Sequence, residues 1–240
     1  DKKQADWSLH YMTHFLSQRK FNEFETKILT ARQQERYVVM DADFVFIEQE
    51  LHGMLLIRDI QSFKEAEQTI RFFAYHDPLT KIANRRSFYE RAAQELLELD
   101  HAAIIVVDLD GFKAINDTYG HQIGDAFLIH IARLLEHHAE QNGFAARVGG
   151  DEFFLLYRHP SVATLHTYAA DLLTYLQDNP YRFAEETIEI RTSIGLSYSP
   201  NHGVDLDTLI QHADQAMYRV KHAGKNDYFI HDTMDSTQRS

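Results

Sequence analysis

A run of six apolar residues, 102–107, ends in two aspartates, Asp108 and Asp110. A run that is apolar on both faces predicts a central strand that is covered on both sides of a sheet. Because side chains alternate along a strand, carboxylates two positions apart project from the same face. Ionised carboxylates at the edge of a core are costly unless they are paired or bind a metal, and α/β folds place ligands at the carboxyl ends of strands. The pair indicates either a cation site or, because a turn follows at Gly111, a helix N-cap.

A second pair of acids stands at a predicted hairpin. Gly149 and Gly150 lie between two β-rich runs, and Asp151 and Glu152 follow at once. The glycines suit a tight hairpin, which often needs positive φ angles. The adjacent acids are not needed for a hairpin, and they repel each other unless a divalent cation relieves the repulsion. The segment is therefore either a solvated acidic turn or a site where a cation and a phosphate approach the backbone.

Composition limits what these acids can bind. The 240 residues include 24 Lys and Arg against 36 Asp and Glu, which gives a formal net charge of −12. Affinity for nucleic acids and for anionic membranes comes mainly from cations on phosphates, so we expect neither partner. A polyanionic ligand would need metal ions or a few placed Lys or Arg side chains. The absence of cysteine excludes disulfides and Cys-ligated zinc.

No apolar run approaches the length of a membrane span. Position 1 is Asp rather than Met, so we expect a fragment of a longer chain. A chain without cysteine also fits a reducing compartment. We expect a cytoplasmic location, with no membrane segment in this fragment, although upstream sequence could tether it to a membrane.

The first quarter of the chain is predicted to hold a helix and three short strands. Apolar residues recur at three-to-four spacing over residues 7–31, which is typical of a helix. Turn residues are expected at 41–43 and 52–53, between β-rich runs at residues 36–40, 44–50 and 54–58.

A further helix is predicted from a cap at Asp59 or Ser62 to about residue 75. Its apolar positions are spaced as a heptad seam about two heptads long, formed by Phe63, Ala66, Ile70 and Phe73. This seam either packs on its own domain or forms a short parallel coiled coil between two subunits.

From His76 onward, helices and strands alternate. Helices are predicted at residues 85–99, 125–138, 161–178 and 205–222, the last with Gly224 as its stop. Strands are predicted at residues 102–107, 144–148 and 153–158, as a pair over 183–198, and at 228–230.

Polar side chains follow the first of these strands. Asp125 could cap the helix that follows it. Alternatively, Asp125 and Asn116 could bind guanine, because one carboxylate can accept hydrogen bonds from both the N1–H and the 2-amino group of guanine. Lys113 is one of the few cations near the acids. Lys221 and Lys225 close the last helix, either as solvated lysines that complement the helix dipole or as phosphate ligands.

These groups occur together in the order and at the intervals of one family. Residues 108–125 and 147–153 strongly resemble the GGDEF family of diguanylate cyclases, residues 76–85 resemble its opening motif, and residues 213–226 resemble its closing helix. The resemblance covers residues 76–231. It implies an α+β fold in which helices wrap a five-stranded central sheet that includes antiparallel strands, similar to nucleotide cyclase and polymerase palm domains.

The resemblance also implies roles for particular residues. Mg²⁺ or Mn²⁺ would be bound by Asp108 and Asp151, assisted by the Leu109 carbonyl. Glu152 would bind a second ion or share the role of general base with Asp151. GTP would be bound by the remaining residues: guanine by Asn116 and Asp125 with His121 beside them, and the phosphates by Lys113, Lys221 and Lys225.

The implied reaction condenses two GTP molecules into cyclic di-GMP and two pyrophosphates. The 3′-hydroxyl of one GTP attacks the α-phosphorus of the other, and the two-fold product calls for a homodimer with one GTP in each subunit. The alternatives are a non-catalytic module that binds GTP or cyclic di-GMP and another kind of purine nucleotide cyclase.

The predicted organisation has four parts. Residues 1–60 resemble part of a PAS sensor domain, residues 61–75 form a linker helix, residues 76–231 form the GGDEF domain, and residues 232–240 form a flexible tail. Many relatives carry an Arg-x-x-Asp site for product inhibition at the position of residues 140–143. Here Glu140 replaces the arginine, and a carboxylate does not bind a phosphodiester as a guanidinium does. We therefore predict that this feedback site is absent.

Overall fold

The computed structural model describes residues 21–158 and 160–232, and the chain separates into two units, one up to Phe72 and one from Phe73 onward. The first unit holds an antiparallel sheet in the order β1-β2-β3. Its strands are β1 (Phe21–Leu29), β2 (Glu35–Ile47) and β3 (Glu50–Asp59). The predicted domain boundaries and the PAS-like assignment stay predictions.

Two local predictions for this unit are wrong. Residues 21–29 were expected at the end of a helix, but they pair with β2 as a strand. Their partial burial falls on Phe24, Thr26 and Ile28, which is the two-residue period of a strand. The three-to-four spacing of the aromatic residues fits both structures, and pairing with β2 decides between them. Residues 7–20 of that predicted helix lie outside the described residues.

The predicted turns are also misplaced. Residues 41–43 continue β2 without a break, with Ala42 buried and opposite Leu55. Gly53 lies within β3, opposite Phe44. The hairpin turn is instead made by Glu48 and Gln49, at φ angles of 51° and 71°, the left-handed conformation that two-residue hairpins favour.

Helix α1 (Gln61–Tyr75) follows the sheet. Asp59, one of the two predicted caps, accepts a hydrogen bond from the Gln61 amide on its Oδ1 at 2.8 Å. No residue of the helix is buried, and the seam residues Phe63 and Ile70 are 64% and 71% exposed. The prediction that this seam packs on its own domain is therefore wrong, and the coiled coil stays a prediction.

The second unit is built on a six-stranded mixed sheet in the order β11-β10-β5-β7-β6-β4. Most pairs are antiparallel, and the two edge pairs are parallel. The elements in chain order are β4 (Ala83–Asn84), α2 (Arg85–Glu98), β5 (Ala102–Leu109), α3 (Phe112–Tyr119), α4 (His121–Ala139), β6 (Gly143–Gly149), β7 (Glu152–Arg158), α5 (Val162–Asp178), β8 (Tyr181–Phe183), β9 (Glu186–Ile188), β10 (Thr192–Ser199), α6 (Leu206–Ala223) and β11 (Asp227–Ile230).

The core of the second unit lies on both faces of β5, and every residue of β5 is buried. Ile105 and Val107 belong to a cluster with residues of α4 and α5. Ile104 and Val106 face the other way, into a cluster with residues of α2 and α6. The predicted central strand and the α+β class are confirmed. The sheet has six strands rather than five, because the two residues of β4 extend one edge.

Two further details differ from prediction. Helix α3 was not predicted, since it is only eight residues long and lies between Gly111 and Gly120. The expected pair over residues 183–198 is instead a small β8–β9 hairpin followed by β10, which joins the main sheet. Among the helices of residues 21–158 and 160–232, none combines the length and the hydropathy of a membrane span.

Candidate active site

The end of β5 and the hairpin between β6 and β7 lie side by side. Asp108 is opposite Glu152 in the β5–β7 ladder, so the two side chains share a face of the sheet. The Leu109 amide donates to the Asp151 carbonyl at 3.2 Å. The two acidic pairs, which are far apart in the sequence, therefore lie side by side where β5 ends and β7 begins. We call this end of the two strands the acidic edge of the sheet.

Arg147 holds the tip of this hairpin. Its guanidinium donates to the Gly150 carbonyl from Nε at 3.0 Å and from Nη2 at 2.7 Å. It also donates from Nη1 to Asp77 Oδ1 at 3.0 Å. Burial alone would raise the pKa of Asp77, but hydrogen bonds from Thr80 and Arg147 hold it below its usual value. Both charged residues lie in motifs identified in the sequence, but no role was predicted for either.

Lys221 closes the site from α6. Its Nζ lies 2.8 Å from Asp108 Oδ2. The helix comes this close because Gly195 of β10 has no side chain: a Cβ there would lie 2.0 Å from the Ala213 carbonyl oxygen. The packing of α6 on a glycine of β10 thus places the lysine on the acid.

The pKa values of this ion pair shift in the same direction. Burial raises the pKa of Asp108, which is only 7% exposed, and the charges of Asp151 and Asp110 add to that effect while Lys221 opposes it. Burial alone would lower the pKa of Lys221, but its hydrogen bond and charge interaction with Asp108 raise it. One lysine thus compensates only part of the negative charge.

The remaining negative charge is concentrated around Glu152. Burial raises the pKa of Glu152, and the charges of Asp108, Asp151 and Asp214 raise it further, while Lys221 lowers it. Asp214 was missed by sequence reasoning, because its proximity depends on the packing of α6. A divalent cation would relieve this repulsion.

The oxygen donors here fit Mg²⁺ or Mn²⁺. Carboxylates and a backbone carbonyl are hard ligands, and Mg²⁺ in nucleotide sites commonly takes one or two carboxylates together with substrate phosphates and water. Within residues 21–158 and 160–232, no three Asp, Glu or His side chains form a complete ligand set. The donor types at this site therefore fit either ion.

Asn116 and Asp125 come from two consecutive helices. Asn116 belongs to α3, and its Oδ1 would lie 1.9 Å from a Cβ at Gly124 of α4. The glycine thus lets the amide side chain rest against α4, one residue before Asp125. Asp125 is the fifth residue of α4, which has Gly120 as its N-cap, so the interpretation of Asp125 as a helix cap is wrong.

The other predicted site residues are exposed, as Asp125 is. Lys113 lies on α3, His121 begins α4, and Lys225 lies in the turn after α6 with a φ of 64°. The structure brings Lys221 onto the acids and leaves these three side chains exposed. Their roles toward a ligand stay predictions.

Asp110 also departs from expectation. The strand ends at Leu109, and the cap of α3 is Gly111, which makes no side-chain cap hydrogen bond. The helix-cap interpretation of this acidic segment is therefore wrong. The carboxylate of Asp110 instead accepts hydrogen bonds from Ser193 Oγ and from the Asn226 amide.

Known proteins resemble this chain over the same region. The family model for the GGDEF domain of diguanylate cyclases matches residues 74–227. The bifunctional diguanylate cyclase/cyclic di-GMP phosphodiesterase MucR of Pseudomonas aeruginosa is 36% identical over 180 residues, which cover 73% of this chain and 26% of MucR. The cyclic di-GMP phosphodiesterase PdeR of Escherichia coli is 34% identical over 179 residues, which cover 72% of this chain and 26% of PdeR. The chain thus spans about a quarter of the length of these curated relatives.

A solved structure agrees in fold. The coiled coil and GGDEF domain of DgcB from Caulobacter crescentus, in complex with c-di-GMP, superposes with a TM-score of 0.63 at 25% identity, covering 71% of this chain and 93% of that one. The family model covers more than half of the chain, and the buried β5 and glycine-hinged acidic hairpin occur at the motif positions. The chain belongs to the GGDEF domain family of diguanylate cyclases.

Proposed function

We propose that this chain is an active diguanylate cyclase, which converts two GTP molecules into cyclic di-GMP and two pyrophosphates. The observation that carries the proposal is the meeting of Asp108, Asp151 and Glu152 with Lys221 at one edge of the sheet. An excess of carboxylates beside one lysine suits a cation-assisted triphosphate site better than it suits a surface turn, where the acids would repel each other without compensation.

The acidic edge would hold the metal. The carboxylates of Asp108, Asp151 and Glu152 and the carbonyl of Leu109 are the donors available for Mg²⁺ or Mn²⁺. When bound, such ions lower the pKa of a coordinated hydroxyl and neutralise the charge of a leaving pyrophosphate. Asp151 is the proposed proton acceptor for the attacking 3′-hydroxyl, with Glu152 beside it.

The remaining candidate side chains would hold the nucleotide. Asn116 and Asp125 would bind the guanine edge, with His121 next to them. Lys221 and Lys225 would contact the outer phosphates, and Lys113 would stabilise charge on the phosphates during transfer. Lys221 would exchange part of its contact with Asp108 for the triphosphate.

The reaction also calls for two subunits. Each GTP provides the 3′-hydroxyl for the other, so two sites must face each other in a homodimer. Holding the two nucleotides together converts a dilute encounter into a near-intramolecular step, which is worth up to about 7–11 kcal/mol of barrier. The exposed seam on α1 supports pairing at the linker.

One observation favours a second candidate. PdeR, whose name describes a phosphodiesterase, matches most of this chain. A module that binds GTP or cyclic di-GMP without turnover is therefore the alternative.

Product analysis separates the two candidates. The protein is incubated with Mg²⁺ and GTP, or with Mg²⁺ and ATP, and the products are identified by chromatography. We expect cyclic di-GMP from GTP and no cyclic product from ATP. Asp151→Asn should abolish the product, whereas Glu98→Gln, at the exposed end of α2, should leave it unchanged. GTP binding without any product from the unaltered protein would favour the non-catalytic module.

A further inference from the structure

Asp110 is an acid beside the candidate site to which the proposed reaction gives no role. It directly follows β5, two residues after Asp108. Its Oδ1 and Oδ2 lie 2.9 and 3.1 Å from Ser193 Oγ, and its Oδ2 accepts the Asn226 amide at 3.0 Å. Ser193 is fully buried. Both carboxylate oxygens are therefore used as hydrogen-bond acceptors within the protein.

The backbone of Asp110 is fixed as well. Its amide donates to the Arg191 carbonyl at 2.8 Å, just before β10 begins. Through its backbone and its side chain, Asp110 joins the end of β5 to the start of β10 and to the turn that follows α6. These three segments are far apart in the sequence, because Ser193 and Asn226 follow Asp110 by 83 and 116 residues.

The turn after α6 has an unusual backbone. Gly224, Lys225 and Asn226 have φ angles of 127°, 64° and 53°. Glycine adopts positive φ easily and asparagine tolerates it, but a lysine there is unfavourable and persists only when its surroundings hold it. The Lys225 amide donates to the Val220 carbonyl at 3.0 Å. On the other side, the bond from Asn226 to Asp110 is charge-assisted and so stronger than a neutral one.

We infer that Asp110 is a positioning residue for Lys225. By holding the amide of the next residue, it keeps the turn next to the strand end that carries Asp108, so that the exposed ammonium of Lys225 stands beside the triphosphate. This inference rests on the proposed function, because the phosphate role of Lys225 belongs to it. Loss of the Asp110 carboxylate would let the turn relax and would move the ammonium away from the phosphates.

A double-mutant cycle tests this coupling. The affinity of a non-hydrolysable α,β-methylene GTP analogue is measured by calorimetry with Mn²⁺ for the unaltered protein, Asp110→Ala, Lys225→Ala and the double variant. We expect each single change to weaken binding about tenfold, as for the loss of one charge-assisted contact. The double variant should also be weakened only about tenfold, because the two residues act as one unit. A loss near a hundredfold would mean independent effects and would overturn the inference.

A conservative variant guards against simple misfolding. Asp110→Asn keeps one oxygen that can accept the Asn226 amide, so its affinity for the analogue should recover most of the loss seen with alanine. The matched control is Asp205→Ala, which removes the cap at the other end of α6, where Asp205 Oδ1 accepts the Thr208 amide at 2.9 Å. This control should lower stability and leave the affinity for the analogue unchanged. Equal loss of affinity in Asp205→Ala would overturn the positioning role.

Binding of Mn²⁺ alone distinguishes positioning from metal ligation. We expect Asp110→Ala to keep the Mn²⁺ affinity of the unaltered protein and Asp108→Asn to lose it. Loss of Mn²⁺ binding in Asp110→Ala would make Asp110 a metal ligand and would overturn the inference while leaving the proposed function intact. Failure of the unaltered protein to bind the analogue at all would overturn both.

Discussion

Strands β5 and β3 are both rich in aliphatic side chains, yet they differ completely in burial. Every residue of β5 is buried between helices, whereas every residue of β3 is exposed, with Leu55 and Leu56 each 54% accessible. The comparison shows that an apolar strand does not determine its own burial, since a covering layer must come from elsewhere in the chain. The second unit supplies that layer on both faces of its sheet, and it is the unit that carries the acidic edge.

The same contrast extends to the acids of the two sheets. Asp41 in β2 accepts hydrogen bonds from the Glu23 amide at 2.7 Å and from Arg58 at 3.3 Å, so an ordinary structural role accounts for it. Asp108 lies among other acids, with one lysine to compensate them. We therefore expect substitutions in the second unit to have large effects and matched substitutions in the first to have small ones.

The largest effect is expected at Asp108. Asp108→Asn removes the carboxylate that holds Lys221 and that would bind the metal, so cyclic di-GMP production should fall about a thousandfold, as when a key electrostatic group is lost from an active site. Asp41→Asn should keep activity close to that of the unaltered protein. Both are measured by chromatography of the product, with circular dichroism to confirm folding. Activity of Asp108→Asn above a tenth of that of the unaltered protein would contradict the expected difference between the two units.

The next effect concerns stability. Ile105→Ala leaves a cavity in the core beside β5 and should lower the free energy of unfolding by about 2–5 kcal/mol. Leu55→Ala in β3 removes a half-exposed side chain and should change it by less than about 0.5 kcal/mol. Urea unfolding followed by circular dichroism measures both. If Ile105→Ala fails to fold, Ile105→Val should show a loss of about 0.5–1.5 kcal/mol. Equal losses at the two strands would contradict the assigned burial.

A smaller effect depends on pH. Burial, together with the nearby His231 and His212, lowers the pKa of His202 to about 4, and its Nδ1 accepts the Tyr198 amide at 3.2 Å. The neutral imidazole is therefore favoured in the folded state. The stabilising effect of the neutral imidazole is complete above the unfolded pKa of about 6.5 and is lost as the pH falls toward 4, with a total of about 3 kcal/mol.

The variant His202→Asn tests the direction of this pH dependence of stability. The free energy of unfolding of the unaltered protein should decrease between pH 6.5 and pH 4 more steeply than that of the variant. Some slope should remain in the variant, because burial also lowers the pKa of His138 and His231. Identical pH profiles would show that His202 does not stabilise the fold in this way.

The smallest effect is an expected absence of change. We predict that Glu140 stands in place of the arginine of a feedback site, so added cyclic di-GMP should not inhibit GTP turnover through residues 140–143. Turnover is measured with and without added product, and Glu140→Arg is the gain-of-function comparison. Tight binding of cyclic di-GMP to the unaltered protein at these residues would contradict the prediction.

Prediction from sequence was most accurate where the signal is local. The apolar run of β5 and the glycine-hinged hairpin were identified correctly, because each carries its pattern within ten residues. Residues 21–29 were assigned to a helix, because the spacing of Phe21, Phe24 and Ile28 is compatible with a helix as well as a strand, and only pairing with β2 decides. Helix α3 was missed because it is only eight residues long and lies between two glycines.

Prediction of the site was likewise limited to local patterns. The acids and lysines were proposed from their motifs and their roles stay predictions, but the links between motifs were not predicted. Arg147 contacts an acid 70 residues earlier in the chain, and Asp110 contacts an amide 116 residues later. Such contacts arise from the order of strands in the sheet, which no local pattern encodes. The proximity of Asp214 to Glu152 depends likewise on the packing of α6.

The most direct measurement is the metal dependence of nucleotide binding in the unaltered protein and in Asp108→Asn. Calorimetric titration with the α,β-methylene GTP analogue is carried out with Mn²⁺ and in the presence of a chelator. We predict that the unaltered protein binds the analogue tightly only when Mn²⁺ is present and that Asp108→Asn loses this metal-dependent gain. Binding that is equally tight in the two proteins, or equally tight with the chelator, would contradict a triphosphate site built on the acids of β5 and the hairpin.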